Sequence, residues 1–530
     1  MEPGVGDCHP LVSRMVPGWC EAVPHPPLQS TRMNATATAH VHTHIQLDLR
    51  EIPDGMVDQL RGHLTVPNPE RQQAVKSGRG ADSIPALVQV YRQEGHHLLI
   101  PRGAVQLVKQ SAAANGVTLQ WSSSVVSRSV RRVPLTDLGL TLRDYQRDAV
   151  ESLVRGVQGY VKAPCGSGKT VIGASALVHT GEPGIVLVHT HDLLRQWVDL
   201  FRSWEIPVRE LSGRERELDP LRIRHGEAEV VVATVQSVHR LGAKVDPLLQ
   251  SAGVVILDEA HHAPAGTFRE VLERCPARYR WGLTATPHRE DGWGVLLPMV
   301  LGPERWRISM GELVDLGFLL LPQVYSMESG THLEPSQFTI RGRVNMARAV
   351  NALCADQDRT ALLVEVVRHL ADQGRTILVL VPRVQYAQDL AGTLRSLGVA
   401  AMPVTGSTGA GLRGQRIRGV REGSIQVMVA TQLADEGLDV PNLDAVVVAS
   451  TGRAAGRAVQ RIGRVMRTAP GKVTPVVVDV ADPTPFSSQW RARARAYFQE
   501  LGVVVPGPQP WDRIRDQLGD PGENRVATGG

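Results

Sequence analysis

The stretch Ala163-Pro164-Cys165-Gly166-Ser167-Gly168-Lys169-Thr170 constrains this chain more than any other part of it. It follows the β-prone run Gly159-Tyr160-Val161-Lys162 and precedes the helix-prone Val171-Ile172-Gly173-Ala174-Ser175-Ala176-Leu177. Strand, glycine loop and helix start make a phosphate cradle. Backbone N–H groups converge on the anion, Lys169 reaches the β and γ phosphates, and the Thr170 hydroxyl can ligate Mg²⁺. Ala163 replaces the first glycine of the usual pattern, but Gly166 and Gly168, which line the phosphates, are kept. Cys165 could serve as a redox switch; a small residue that happens to be cysteine is the simpler reading.

Farther along, the apolar run Val254-Val255-Ile256-Leu257 ends in Asp258-Glu259-Ala260-His261. A buried strand that delivers two carboxylates to its C-terminal edge suits a nucleotide-hydrolysing site: Asp258 to hold Mg²⁺, and Glu259 to orient and deprotonate the attacking water. From Leu140 to about Phe318, and again from about Arg348 to Val480, short β-branched runs alternate with amphipathic helices. That alternation predicts parallel α/β sheets.

These motifs, in this order, resemble the superfamily-two DEAD/DEAH-box helicases, in the branch that includes XPB-like and type III restriction-like (ResIII) ATPases. The resemblance covers about Leu140 to Val480. Leu142-Arg143-Asp144-Tyr145-Gln146 looks like the adenine-reading Q motif, which implies nucleotide contacts from Arg143 and Gln146. Val188-His189-Thr190 and Ala233-Thr234 sit like the family's first nucleic-acid-contacting motifs. Gly282-Leu283-Thr284-Ala285-Thr286-Pro287 is similar to the segment that couples hydrolysis to strand movement, and Arg289-Glu290-Asp291 resembles the RED element of XPB-like proteins. In the second half, Ala430-Thr431-Gln432 and Asp435-Glu436-Gly437-Leu438-Asp439 look like motif V, which places Gly437 and Asp439 at the nucleotide and Thr431 at the strand. Gln460-Arg461-Ile462-Gly463-Arg464-Val465-Met466-Arg467 looks like motif VI. Gln460 is then catalytic, and Arg464 and Arg467 are the candidate arginine fingers, because charge gathering on a γ-phosphate needs rigid cations supplied on closure.

The implied fold is α/β: two tandem RecA-like parallel-sheet P-loop domains with a small N-terminal α+β accessory domain. The expected divisions are a flexible tail over 1–34, the accessory domain over 35–135, the ATP-binding domain over 136–320, the C-terminal helicase domain over 321–500 and a second tail over 501–530. The accessory unit opens with an alternating run, Ala35 to Leu49, that reads as one half-buried strand with His40, His42 and His44 on its solvated face. The implied activity is that of an ATP- and Mg²⁺-dependent DNA helicase or translocase, serving repair or recombination. Its DNA would be single-stranded or a forked duplex. RNA is the alternative polymer, and an ATPase clamp that never separates strands is the alternative device. Thr190, Thr234 and Thr431 could touch phosphodiesters; each could equally cap a strand end.

Composition narrows the rest. The 58 Lys+Arg against 53 Asp+Glu give only +5, but residues 341–500 hold 21 of the basic and 13 of the acidic residues, so the excess sits on the second half. No lysine has Asp or Glu two residues before it, which excludes a fused lysine-containing PD-(D/E)xK nuclease. A nuclease or repair partner subunit stays open. Five scattered cysteines without a CxxC pair give no disulfide framework or zinc ribbon, and with no apolar run of membrane length and no signal peptide a cytoplasmic protein is expected.

Overall fold

The computed structural model describes residues 35–77, 80–128, 141–211, 219, 221, 223–224, 227–263, 266–285, 292–340, 342–431, 440, 442–449, 462–463, 465–468 and 472–518. The proposed tail 1–34 and residues Thr286, Arg289, Glu290, Asp291, Gly437, Asp439, Gln460 and Arg464 lie outside them.

The first unit is an α+β layer. The run expected as one strand is a hairpin: β1 (Ala35–Val41) turns at His42-Thr43 into β2 (His44–Asp48), with Ala39 opposite Leu47 and Val41 opposite Ile45. A two-residue turn preserves parity, so the same odd-numbered residues face inward on both arms, and alternation alone could not reveal the turn. With β3 (Arg92–Glu94), β4 (His97–Pro101) and β5 (Val117–Ser123) they form a sheet in the order β3-β4-β2-β1-β5, antiparallel except for β1 with β5. Helices α1 (Asp54–His63) and α2 (Val105–Ala114) lay Met56, Leu60, Val108 and Ala112 on the buried Ala39, Ile45 and Leu47. Gly116, at φ 67°, closes α2 in the left-handed conformation that glycine adopts without penalty.

Two wholly parallel sheets follow. The first comprises β6 (Gln158–Lys162), β7 (Gly184–Val188), β8 (Val208–Leu211), β9 (Val230–Thr234), β10 (Val254–Asp258), β11 (Tyr279–Thr284) and β12 (Glu304–Arg307). Their order is β8-β9-β7-β10-β11-β6-β12. Val230, Val231, Val232, Val254, Val255 and Ile256 are all fully buried, as expected of strands covered on both faces. Helices α3 (Asp144–Gly156), α4 (Lys169–Thr180) and α5 (His191–Ser203) serve the site described below.

The second sheet comprises β13 (Gln323–Glu328), β14 (Ile377–Val381), β15 (Ala401–Val404), β16 (Val427–Thr431), β17 (Ala445–Val448) and β18 (Val476–Ala481), in the order β13-β18-β17-β14-β16-β15. The basic helix α6 (Ala410–Arg421) runs between β15 and β16. The stretch expected as a tail from 501 onward departs from that expectation. Gln509 exchanges backbone hydrogen bonds with Ser326 and Glu328 on β13, and the helix α7 (Trp511–Gln517) buries Trp511 and Ile514 in the second core. An edge strand needs its backbone groups covered, and the Pro- and Gly-rich composition hid that role. Residues 519–530 lie outside the described set.

The first unit is docked on the first parallel sheet through Arg102. Its buried guanidinium donates to Gln158 Oε1 at 3.1 Å, to Ala277 O at 2.5 Å and to Arg278 O, while Gln158 Nε2 returns a bond to Arg102 O at 2.9 Å. Burial and the neighbouring Arg280 charge push the Arg102 pKa down to about 9. His44, expected on a solvated face, instead reaches Glu273 of the first parallel unit at 3.7 Å. His40 keeps to its own unit, bonded to Ser122 and Ser124.

Candidate nucleotide site and strand interface

The phosphate loop joins β6 to α4. Gly166 and Gly168 take φ of 87° and 76°, a region that glycine enters freely and other residues at a cost, and Gly168 caps the N-terminus of α4. Close packing fixes both positions. A Cβ on Gly168 would lie 2.4 Å from Gln146 Nε2, and one on Gly166 would lie 2.9 Å from Leu319 Cδ2 and 3.4 Å from Arg467 Cγ. Ser167 turns its hydroxyl back to Pro164 O at 2.7 Å.

The Q-like segment braces this loop from below. Gln146 closes the start of α3 by accepting from Arg143 N at 3.1 Å, and its Nε2 donates to Ser167 O at 3.2 Å. Tyr145 Oη donates to the same carbonyl at 2.8 Å. Both ends of the Gln146 carboxamide are therefore engaged within the protein. Arg143 stacks 4.0 Å from the Phe318 ring centroid, and Tyr145 packs on Phe318 and Trp306. This aromatic and guanidinium cluster offers planar surfaces beside the loop.

Asp258 and Glu259 stand at the end of β10. Asp258 is 3% exposed; its Oδ2 accepts from Trp197 Nε1 at 2.8 Å and its Oδ1 from Glu259 N at 2.9 Å. Burial and then the Glu259 charge push its pKa up. Glu259 adopts φ 48°, an uncommon value for a side-chain-bearing residue, and one that marks functional turns. Burial opposes its charge, but Lys169 and the contact with His261 outweigh that and hold its pKa down at about 2. His261 Nδ1 lies 3.4 Å from Glu259 Oε2 and 3.3 Å from Thr284 Oγ1, so one imidazole links the acid pair to β11.

The donors at hand are hard oxygens, which suit Mg²⁺. Each Asp258 oxygen accepts one protein hydrogen bond, leaving a lone pair for a metal or its water, and buried Glu259 Oε2 has only the 3.4 Å contact with His261 Nδ1 among the described residues. Gln196 Nε2 donates to the Thr170 hydroxyl at 3.4 Å. The residues present fit the ion.

The second sheet closes over the loop. Arg467 forms an isolated bridge with Leu319, Leu320 N donates to Met466 O at 2.6 Å, and a Cβ on Gly463 would lie 3.3 Å from Cys165 Cβ. Of the two proposed fingers, Arg467 is thus at the phosphate loop. Of the threonines proposed for the strand, Thr190 and Thr234 cap helices, accepting from Leu193 N at 3.3 Å and Ser237 N at 3.2 Å. Thr431 is 5% exposed at the end of β16, and its hydroxyl finds no hydrogen-bond partner among the described residues. Across the cleft, Arg413 of α6 pairs with Asp192 of α5 at 3.1 Å.

Sequence reasoning missed Trp197, Gln196, Tyr145, Phe318 and the Asp192–Arg413 pair. Trp197 reads as an ordinary apolar position of an amphipathic helix, so no local signal pointed to its indole N–H. His261 lay in the quoted tetrad, but its contact with Thr284 depends on the neighbouring strand.

A phosphate loop, a strand-end acid pair and an arginine from the lobe of the second parallel sheet define a two-lobed P-loop protein. Residues 139–289 match the model of the type III restriction enzyme res subunit, and residues 358–469 match the helicase conserved C-terminal domain. The chain thus carries a res-subunit-like and a helicase C-terminal-like region, and is similar to superfamily-two helicases of the XPB-like and ResIII branch. It is 31% identical over 363 residues to putative helicase 22 of Sulfolobus islandicus filamentous virus, covering 64% of each chain. It is 28% identical to the DNA 3'-5' helicase XPB of Kineococcus radiotolerans, covering 68% of this chain and 63% of that one. It is 25% identical to the DNA 3'-5' translocase XPB2 of Sulfurisphaera tokodaii, covering 63% of this chain and 80% of that one. The chain thus spans less than two thirds of the first two relatives. Among solved structures, S. cerevisiae Dbp5 bound to RNA and ADP BeF3 shares the fold, at 18% identity and a TM-score of 0.51 over 71% of this chain and 92% of that one. No helix among the described residues is long and apolar enough to cross a membrane.

Proposed function

We propose that this chain is an ATP-driven motor on DNA, a helicase or translocase that alternately grips and releases a strand as its two parallel-sheet lobes close and open. The observation that carries the reading is Arg467, a residue of the second lobe lying against Gly166 of the phosphate loop in the first. Charge that builds on a transferring γ-phosphate then meets the Arg467 guanidinium only in the closed state, so hydrolysis and closure are coupled. Lys169 and the loop N–H groups hold the β and γ phosphates. Thr170 and Asp258 hold Mg²⁺, which when bound neutralises phosphate charge. Glu259 orients the attacking water and takes its proton, and the His261 bridge passes the state of that carboxylate to Thr284. Arg464, Gln460, Gly437 and Asp439 complete the nucleotide contacts in this reading, and Thr286, Arg289, Glu290 and Asp291 the coupling segment.

The XPB names of two relatives support DNA as the polymer, and the basic excess of residues 341–500 supports a phosphodiester track on the second lobe. With their hydroxyls used as caps, Thr190 and Thr234 leave backbone N–H groups at the two helix starts for phosphates, while Thr431 retains a hydroxyl to offer. Repair or recombination is the setting that this branch suggests.

ATP turnover titrated with single-stranded DNA, duplex DNA and RNA tests the proposal. DNA stimulation that Lys169→Ala abolishes is expected. A response to RNA alone would reverse the substrate, and stimulation surviving Lys169→Ala would remove the motor. Strand displacement on a forked duplex separates a helicase from a clamp.

A further inference from the structure

Helix α5 touches three things that the proposed cycle must coordinate. At its first turn Asp192 meets Arg413 of the second lobe, with each side chain 20% exposed. Just over one turn on, Gln196 and Trp197 reach the two groups assigned to Mg²⁺, Thr170 and Asp258. The Trp197 ring is fully buried and wedged against α4, where a Cβ on Gly173 would lie 2.9 Å from Trp197 Cη2. Its orientation is thereby fixed, and so is the direction of its N–H. An indole N–H donated at 2.8 Å to a carboxylate in a site from which water is excluded holds that carboxylate in one rotamer. A purely structural tryptophan would need only to fill the space; an aromatic ring without the N–H would serve as well.

We propose that α5 is the positioning element of the metal site: Trp197 orients the Asp258 carboxylate and Gln196 the Thr170 hydroxyl, on the helix whose first turn is gripped by the second lobe. A thirteen-residue helix moves as a rod, so displacement at Asp192 on closure is carried to both metal-holding groups. Trp197 and Gln196 act through other residues and touch no reacting atom. The inference rests on the motor reading only in taking Thr170 and Asp258 as the metal-holding pair.

The test is equilibrium binding of a fluorescent ADP analogue to the full chain, first in EDTA and then across a Mg²⁺ titration, with no nucleic acid present. Trp197→Phe keeps a ring and deletes the N–H. It is expected to leave Mg²⁺-free nucleotide binding unchanged and to raise the Mg²⁺ concentration for half-saturation by about 10- to 100-fold, the range seen when a hydrogen bond to a metal ligand is removed. Gln196 is exposed, so Gln196→Ala spares the core and supplies a variant that folds should Trp197→Phe fail; it is expected to move the same midpoint in the same direction by a smaller factor. In the ¹⁵N-labelled wild type, the indole resonance absent from Trp197→Phe should shift as Mg²⁺ is added with ADP. If Trp197→Phe keeps the wild-type Mg²⁺ midpoint, or if neither the Gln196→Ala midpoint nor the indole resonance moves, the positioning role is wrong while the motor reading stands. If the wild type itself binds nucleotide no better with Mg²⁺, the nucleotide-site reading fails and takes this inference with it.

Discussion

Substituting alanine for Gly103 should open the seam between the first unit and the first parallel lobe. A Cβ built there meets Met299 O at 2.4 Å and both Gly302 N and Pro298 O at 2.5 Å, and the last two atoms hydrogen-bond each other at 2.9 Å. All three are backbone atoms, so no side-chain rotation relieves the clash. To reach ordinary contact of about 3.5 Å the seam must part by about 1 Å. Arg102 is the adjacent residue, and that retreat would take its bonds to Ala277 O and Gln158 Oε1, at 2.5 and 3.1 Å, to the limit of hydrogen bonding or past it. Overpacking alone costs about 1–3 kcal/mol, and each weakened bond to a charged donor about 1.5–3 kcal/mol. Taking roughly 4 kcal/mol, the low end of that sum, local opening becomes about 1,000-fold more populated. Hydrogen exchange at the amides of β4 and of Gly302 reads that population directly. Gly62 provides the control: it lies in α1, a Cβ there meets nothing within 4 Å, and alanine should stabilise the helix by about 1 kcal/mol. Exchange in Gly103→Ala indistinguishable from wild type would refute the close-packed seam.

Three further outcomes can be measured. Arg359 is fully buried and donates to both Asp482 oxygens and to Ala449 O, so Arg359→Met should destabilise the second lobe by about 3–5 kcal/mol, because it strands a buried carboxylate; chemical denaturation reads this, and Arg359→Met/Asp482→Leu should recover most of the loss. Asp444 is pushed up to about 6 by burial, so the folded state holds its proton more tightly than the unfolded chain does. Stability from this group is present below pH 4 and is lost as pH rises through 6, at most about 3 kcal/mol, and Asp444→Asn should flatten the melting-temperature profile between pH 4 and 7. Asp192→Asn should shift the lobes toward the open state about fivefold, as expected for a half-buried ion pair of about 1 kcal/mol, read by energy transfer between labels on the two lobes; the exchanged pair Asp192→Arg/Arg413→Asp should restore closure, and equal closure in all variants would leave the contact without weight.

The parallel lobes were legible because their strands are apolar on both faces: Val254-Val255-Ile256-Leu257 can only be a covered strand, and the acid pair that follows must then emerge at its end. The phosphate loop was legible because glycines at fixed spacing answer a backbone demand, visible as positive φ at Gly166 and Gly168. Legibility stopped where a contact joins residues far apart in sequence whose own pattern is ordinary. Trp197 keeps the apolar period of α5, and only the arrival of Asp258 on another element gives its N–H a purpose. The hairpin at His42-Thr43 escaped because parity survives a two-residue turn, and the cover that Gln509 and Trp511 give to β13 escaped because composition reports local stiffness and not what an edge strand requires.

Among the described residues the cleft is spanned at the phosphate loop and at α5, and the chemistry of these two contacts differs. At the phosphate loop the contact is steric and close. Gly463 passes Cys165 so closely that a Cβ would sit 3.3 Å from Cys165 Cβ, and Leu319 and Arg467 fill the space a Cβ on Gly166 would need. At α5 the contact is one half-buried ion pair, worth little by itself and easily exchanged for water or phosphate. The proposed motor needs that asymmetry. The nucleotide end must discriminate between the presence and absence of a single phosphate, which requires contacts that are right only in one geometry. The strand end must release every cycle, so a strong contact there would stall it. On the motor reading Arg413 trades Asp192 for a phosphodiester at small cost, whereas a side chain at Gly463 must push back Met310 Cε and press on Cys165 Cβ. On that reading, sequence change on the strand side should mainly tune the rate, and change at the loop should weaken closure.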